Sequence, residues 1–330
     1  MELYYSLSIL IVLAACFSYL NLRYLKLPST IGVMLIAMLA SVGLIAGGKN
    51  YPDVFSSFTE ILGSVDLSEI LMGAMLNFLL FAGAIHISLH DLRKQRVPIM
   101  IFSTLGVIIS TIVVGILMFY LFKILEFQIP ILQCFLFGAL ISPTDPIAVI
   151  GILRNAGIRK SLEIKVAGES LFNDGVAVVL FAVLLQLARG GQFDLTFIHV
   201  SGLFLQEAGG GLLAGLLLGY LGSHAIKRID SYNVTVMITL AIVMGGYLIT
   251  RFLHVSGPLT MVVAGLVIGN YGKNIGMSSL DRSYLYKFWE LIDEILNAVL
   301  FLIIGFELLL IPELEQYWLI GSLSILVVLL

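Results

Sequence analysis

The chain carries little charge for its length. Of its 330 residues, 12% are charged and 59% are hydrophobic, and the mean hydropathy is +1.06. A soluble domain has about twice that charged fraction, roughly 25%. The composition therefore excludes an ordinary soluble domain and predicts an all-α polytopic membrane protein in a lipid bilayer. We expect no nucleic-acid partner.

Cysteine is also scarce. The two cysteines, Cys16 and Cys134, both fall inside apolar stretches. There they are typical of small buried hydrophobic residues, and they indicate neither a disulfide framework nor a metal site. We expect no resident cofactor.

Most of the sequence consists of long apolar stretches. A transmembrane helix needs about 20 apolar residues, and the sequence predicts eleven spans. The predicted spans are 3–22, 28–48, 69–89, 98–122, 130–153, 161–188, 199–222, 232–253, 256–271, 286–311 and 315–330. The last apolar run reaches Leu330 without a polar flank, so we expect the chain to be a fragment of a longer protein.

The basic residues alternate between the two sides of this arrangement. Alternate loops hold 14 of the 18 Lys and Arg residues, including Arg93, Lys94 and Arg96. The other loops hold only Lys49, Lys123, Arg189 and Arg251. Because basic loops stay in the cytoplasm, this pattern predicts an N-terminus outside the cell membrane.

Two of the eight prolines, Pro143 and Pro146, lie three residues apart inside the fifth predicted span. Each proline removes a backbone donor and disfavours helical geometry in the residue before it. The helix should therefore break at Ser142-Pro143-Thr144-Asp145-Pro146, with the carboxylate of Asp145 at the break. A broken helix inside a membrane is typical of a cation site in a transporter.

The sixth predicted span carries Glu169, Ser170, Asn173 and Asp174. At about 100° per residue, these side chains cover roughly 140° of one helix face. An acidic side chain at a helix centre costs about 2.5–3.5 kcal/mol on insertion scales, so this face should avoid lipid. Plainer interpretations stay open: an interfacial position for Glu169, and a structural hydrogen bond for Asp174.

Small residues repeat in the seventh predicted span. Gly211, Gly215 and Gly219 are spaced four residues apart. Such a stripe lets two membrane helices approach closely, so we interpret it as a packing surface.

The two polar segments together resemble a known family. The run Gly138 to Pro146, followed by Gly168 to Gly175, is similar to the sodium/proton antiporters of the NhaP/NHE type (cation:proton antiporter-1 family). Weaker similarities follow at Ser256-Gly257-Pro258-Leu259 and Phe288-Trp289-Glu290. The resemblance covers nearly the whole chain.

The resemblance implies roles for individual residues. Asp174 would be the principal carboxylate for cation and proton, and Asp145 would line the site. Glu169, Ser170 and the carbonyl of Thr144 would complete a Na⁺ site with Asp174. Asn173 would hold the acidic helix in place, and the Asn-Asp pair suggests electroneutral exchange.

The resemblance also implies an architecture and a mechanism. Residues 1–97 would form scaffold and dimerisation helices, and residues 98–190 the ion-binding core with a broken crossover helix. Residues 191–311 would form a linker and second scaffold helices, and residues 312–330 would begin a second, incomplete inverted repeat. A homodimer in the plasma membrane would exchange Na⁺, Li⁺ or K⁺ for H⁺ by alternating access.

Two alternatives remain from the residues alone. A passive cation channel would conduct without coupling to protons. An intramembrane aspartyl protease would use Asp145 and Asp174 as a catalytic dyad. The second fits poorly, because Asp145 lies between prolines and Asp174 lacks a Gly-x-Gly-Asp sequence. On the exchanger interpretation the protein is not an enzyme.

Overall fold

The structure is a computed structural model that describes residues 2–47, 73, 75–144, 159–188, 197–229, 231–274, 279–310 and 314–329. These residues form helices, and no strand occurs among them. The helices are α1 (Glu2–Leu20), α2 (Ser29–Gly47), α3 (Leu76–His86), α4 (Leu89–Lys94), α5 (Arg96–Ile124), α6 (Ile131–Ile141), α7 (Lys160–Ala188), α8 (Phe197–Ile226), α9 (Tyr232–Leu253), α10 (Gly257–Asn274), α11 (Ser279–Phe306) and α12 (Leu314–Leu329).

Several described helices contain or adjoin π-helical residues. The segment Asn21–Leu25 continues α1, and the segment Ile101–Gly106 lies within α5. The 3₁₀ turn Glu307–Leu309 extends α11.

The predicted spans correspond to eleven of these helices, since α4 is a six-residue connection. Within the described residues, six helices are long and apolar enough to cross a membrane. Four shorter apolar helices fall in the third, fifth, ninth and eleventh predicted spans. The tenth span corresponds to α11, whose first half carries most of that helix's charge. The prediction of an all-α, multi-pass membrane protein is confirmed.

The turn between α1 and α2 shows how polar residues are accommodated in an apolar chain. Lys26 has φ 54°, in the left-handed region, and its N–H donates to the carbonyl of Asn21. The amide group of Asn21 donates to the carbonyl of Leu27 at 2.9 Å and accepts from its N–H at 3.2 Å. One buried side chain thus satisfies the backbone of the turn.

The chain forms two compact units. The first comprises Met1–Leu79 and Glu290–Trp318. Its core is apolar, with Leu10 of α1, Val33 and Ala37 of α2, and Leu302 and Phe306 of α11 all buried. In this unit the hydroxyl of Ser41 donates to the carbonyls of Ala37 and Gly305.

The second unit comprises Leu80–Trp289 and Leu319–Leu330. Its central helix is α7, which contacts α4, α5, α6, α8 and α10. These neighbours surround much of α7, so a polar face on this helix can be kept from lipid.

The contact between α8 and α10 confirms the predicted packing role of the glycine stripe. A methyl group on Gly211 would lie 2.8 Å from the carbonyl oxygen of Ser256, and one on Gly215 would lie 2.6 Å from that of Thr260. The hydroxyl of Thr260 donates back to the carbonyl of Gly211 at 3.0 Å. Only glycine permits this approach of two backbones.

Candidate functional site

The helix α6 ends where the two prolines predicted a break. Its last residue is Ile141, and the N–H of Ser142 still donates to the carbonyl of Gly138 at 3.1 Å. Pro143 has no N–H to continue the pattern, and Thr144 is not helical. Asp145 and Pro146 lie outside the described residues, so the predicted roles of both stay predictions.

Thr144 contacts α7 through two different groups. Its backbone carbonyl accepts a hydrogen bond from the hydroxyl of Ser170 at 2.8 Å. Its side-chain oxygen Oγ1 accepts from Nδ2 of Asn173 at 3.0 Å. The end of the broken helix is therefore held on the polar face of α7.

Asn173 links this end to an acidic side chain. Its Nδ2 also donates to Oε1 of Glu169, one helical turn earlier, at 2.7 Å. Oγ1 of Thr144 lies 3.5 Å from the other carboxylate oxygen of Glu169. A hydrogen bond to a carboxylate is about twice as strong as one between neutral groups. Asn173 is 1% exposed, Glu169 is half-buried and Thr144 is exposed, so this network extends from the interior to the surface of the protein.

The polar residues of α7 form two stripes. Ser170 and Asp174 are four residues apart on one stripe, and Glu169 and Asn173 are four residues apart on the next. The carbonyl of Thr144 bonds to the first stripe, and its hydroxyl oxygen bonds to the second. A single residue at the break thus joins both stripes.

Asp174 lies on the same stripe as Ser170 and is half-buried. Ser170 contacts the carbonyl of Thr144. Asp174 is one helical turn after Ser170, so the helix places it on the side of α7 that faces this contact. A carboxylate in such surroundings is costly unless a proton, a cation or hydrogen bonds compensate it.

Two glycines bring α7 close to its neighbours around these stripes. A methyl group on Gly168 would lie 2.8 Å from Cδ1 of Ile99 in α5. One on Gly175 would lie 3.3 Å from Cδ1 of Leu259 in α10. The polar face is therefore bordered by apolar side chains on both ends.

Sequence reasoning missed the polar contacts of α6 with α5. The hydroxyl of Ser142 lies 3.0 Å from that of Ser110 and 3.3 Å from that of Thr111. Ser110 and Thr111 lie in a long apolar span, carry no charge and belong to no motif, so the sequence offered no signal for them.

These features define a class of protein. A multi-span helical protein in which the residues after a helix end present a backbone carbonyl to an acidic helix has the arrangement typical of a secondary transporter of ions. Its polar groups are oxygen-rich, as hard cations require.

Comparison with known proteins agrees with this class. Residues 10–330 match the family described as sodium/hydrogen exchanger, transmembrane. The chain is 50% identical over 305 residues to the Na⁺/H⁺ antiporter NhaP of Pseudomonas aeruginosa, covering 92% of this chain and 71% of that protein. It is 32% identical over 333 residues to the Na⁺/H⁺ antiporter NhaH of Halobacillus aidingensis, covering 98% of this chain and 78% of that one.

The fold matches a solved structure. The sodium proton antiporter MjNhaP1 from Methanocaldococcus jannaschii at pH 8 superposes with a TM-score of 0.77 at 21% identity, covering 98% of this chain and 75% of that one. The predicted antiporter fold is confirmed.

The chain belongs to the sodium/hydrogen exchanger family. It is accordingly a transporter and not an enzyme, and the ions that such a protein moves are its substrates rather than cofactors. The channel and protease alternatives find no support among these matches.

Proposed function

We propose that the protein exchanges Na⁺ for H⁺ by alternating access, at a site formed by Asp174, Ser170 and the carbonyl of Thr144. The 2.8 Å contact between Ser170 and that carbonyl carries the proposal, because it joins the interrupted helix to the acidic stripe. Family membership supports the same pair of ions.

The geometry of this contact suits a bound cation. The Thr144 carbonyl has two lone pairs, and the Ser170 hydroxyl uses only one. The hydroxyl oxygen of Ser170 keeps its own acceptor capacity. Two oxygens 2.8 Å apart can therefore bind one Na⁺ together, with Asp174 supplying the negative charge. Asp145 completes the predicted lining.

Glu169 has a different set of contacts from Ser170. One carboxylate oxygen accepts from Asn173, and the other lies near Oγ1 of Thr144. We propose that Glu169 contributes charge to the site mainly through this network. Asn173 thereby fixes the distance between α6 and α7, as its predicted supporting role requires.

The proposed coupling follows from the cost of burying charge. A bare carboxylate at Asp174 opposes passage of the site through a low-dielectric barrier. A proton or a Na⁺ ion neutralises it equally well. If only the neutralised site changes sides, the two ions must exchange. Because Asp174 is the one carboxylate proposed to exchange its proton for a cation, each cation replaces one proton, which makes transport electroneutral.

The proposal extends to assembly and location. The alternation of basic loops favours a plasma-membrane protein with the N-terminus outside. Residues 1–97 would serve as scaffold and dimerisation helices, residues 98–190 as the ion-binding core, and residues 191–311 as a linker and second scaffold helices. Residues 312–330 would begin the second half of that core.

A vesicle assay tests the proposal. Proteoliposomes with an acid interior and a pH-sensitive dye receive NaCl, LiCl, KCl or choline chloride outside. We expect Na⁺ to restore the dye signal, with Li⁺ next, and choline to have no effect. Cation flux that is unaffected by the pH gradient would instead favour a channel.

A further inference from the structure

We propose that Ser142 is a positioning residue, which sets the place of the Thr144 carbonyl by anchoring the end of α6 to α5. The inference rests on the proposed function, since it concerns how the cation site is held. It uses the hydroxyl cluster of Ser110, Thr111 and Ser142, which the transport mechanism above does not involve.

The hydroxyl of Ser142 has three oxygen neighbours, one in its own helix and two in α5. A serine hydroxyl donates one hydrogen bond and accepts two. Its oxygen lies 2.6 Å from the carbonyl of Gly138, 3.0 Å from Oγ of Ser110 and 3.3 Å from Oγ1 of Thr111. The Ser142 hydroxyl donates to the carbonyl of Gly138 or to Oγ of Ser110, and Oγ1 of Thr111 can donate to the Ser142 oxygen.

The two helices meet without side chains between them at this level. A methyl group on Gly138 would lie 2.5 Å from the carbonyl oxygen of Thr111. Thr111 is 3% exposed. The hydroxyl cluster therefore lies at the end of α6, one turn after a close contact of the two backbones.

The break is thus fixed on both sides. Ser142 bonds to α5, and Thr144, two residues later, bonds to α7. Pro143 lies between them and restricts the backbone through its ring. Moving the end of α6 on α5 would move the Thr144 carbonyl relative to Ser170. The affinity for the cation should then fall more than the rate at which the loaded site turns over.

The test measures the apparent KM for Na⁺ and the maximal rate in proteoliposomes. For Ser142→Ala we expect KM to rise about threefold to tenfold, the range of one lost hydrogen bond, with the maximal rate within about twofold. The double variant Ser110→Ala/Thr111→Val keeps Ser142 but removes both α5 partners. It should raise KM similarly, and adding Ser142→Ala to it should change little, because the groups form one network.

Two controls separate positioning from general packing. Thr111→Ser keeps the hydroxyl and should keep a wild-type KM. Ser223→Ala removes another buried serine, whose hydroxyl donates to the carbonyl of Gly219 at 2.7 Å within α8. It should leave KM unchanged.

Several results would overturn the inference. These are a wild-type KM in both Ser142→Ala and the double variant, an equal rise of KM in Ser223→Ala, or a loss of maximal rate and melting temperature at constant KM. If Ser142→Ala does not fold, the double variant decides. An absence of Na⁺-driven proton movement in the wild-type protein would instead refute the proposed function.

Discussion

The contacts α6–α7 and α8–α10 bring helices together in opposite ways. Between α8 and α10, glycines remove the side chains, so that backbones approach while the helices stay intact. Between α6 and α7, the helix itself ends, and side chains of Ser170 and Asn173 reach the backbone and side chain of Thr144. At the α8–α10 contact, the backbone groups are hydrogen-bonded within their own helices. At the α6–α7 contact, backbone groups at the end of α6 bond to side chains of α7 instead.

The difference indicates where function can reside. A continuous helix has its carbonyls engaged in its own hydrogen bonds, so the α8–α10 contact offers few free ligands. An interrupted helix frees carbonyls, and such backbone is tolerated in a membrane only where protein or water surrounds it. We therefore expect substitutions at the two contacts to change different quantities: ion coupling at α6–α7 and stability at α8–α10.

The largest effect should come from Asp174→Asn. The amide cannot take up a proton and carries no charge, so exchange should fall to the rate of empty liposomes while the protein still folds. The dye assay and a melting curve measure both properties. Glu126→Gln, which removes an exposed carboxylate in the loop after α5, is the matched control. Exchange at the wild-type rate in Asp174→Asn would refute the assignment of this carboxylate.

Asn173→Asp should change the charge carried per cycle. In the wild-type protein, Nδ2 of Asn173 lies 2.7 Å from Oε1 of Glu169. The substitution therefore places a second carboxylate directly beside that of Glu169. One more proton or cation must neutralise it, so transport should become sensitive to membrane potential. Proteoliposomes with potassium and valinomycin set the potential. Asn233→Asp adds the same charge at an exposed position in α9 and should remain insensitive. A voltage-insensitive Asn173→Asp variant would contradict the charge argument.

Gly215→Ala should act on stability with little effect on coupling. The new methyl group would lie 2.6 Å from the Thr260 carbonyl and 2.7 Å from Cβ of Val263, so a backbone must move. We expect a loss of about 1–3 kcal/mol in the free energy of unfolding. Gly202→Ala, in the same helix with nothing within 4 Å of the added carbon, should be neutral or stabilising by up to ~1 kcal/mol. Equal melting temperatures in the two variants would show that the glycine stripe is not a packing surface.

Hydropathy and proline chemistry predicted much of the fold. Each of the eleven predicted spans corresponds to a helix in the described residues. The reason is that a stretch of about 20 apolar residues marks where a helix can cross a membrane. The break near Pro143 followed from the missing N–H. The short helices were less predictable. In the described part of the span predicted at 69–89, the helix α3 ends at His86, and the six-residue helix α4 follows it.

The structure brings four of the predicted site residues into contact, and it adds hydroxyl contacts that the sequence did not indicate. The clustering of Thr144, Glu169, Ser170 and Asn173 could be anticipated, since polar residues on one helix face avoid lipid together. The division into two stripes could not, because it depends on which atom of Thr144 faces which residue. The contacts of Ser110 and Thr111 with Ser142 could not be predicted for a related reason. They depend on the close approach of α5 to α6 at Gly138, which the sequence does not show.

The central claim is that one carboxylate binds either a proton or a cation. Calorimetric titration of the purified protein with NaCl, in two buffers of different ionisation enthalpy, counts the protons released per sodium bound. We expect about one proton to be released per sodium bound when the site starts protonated, and no sodium-linked release from Asp174→Asn. Sodium binding to the wild-type protein without proton release, at every starting pH, would contradict it.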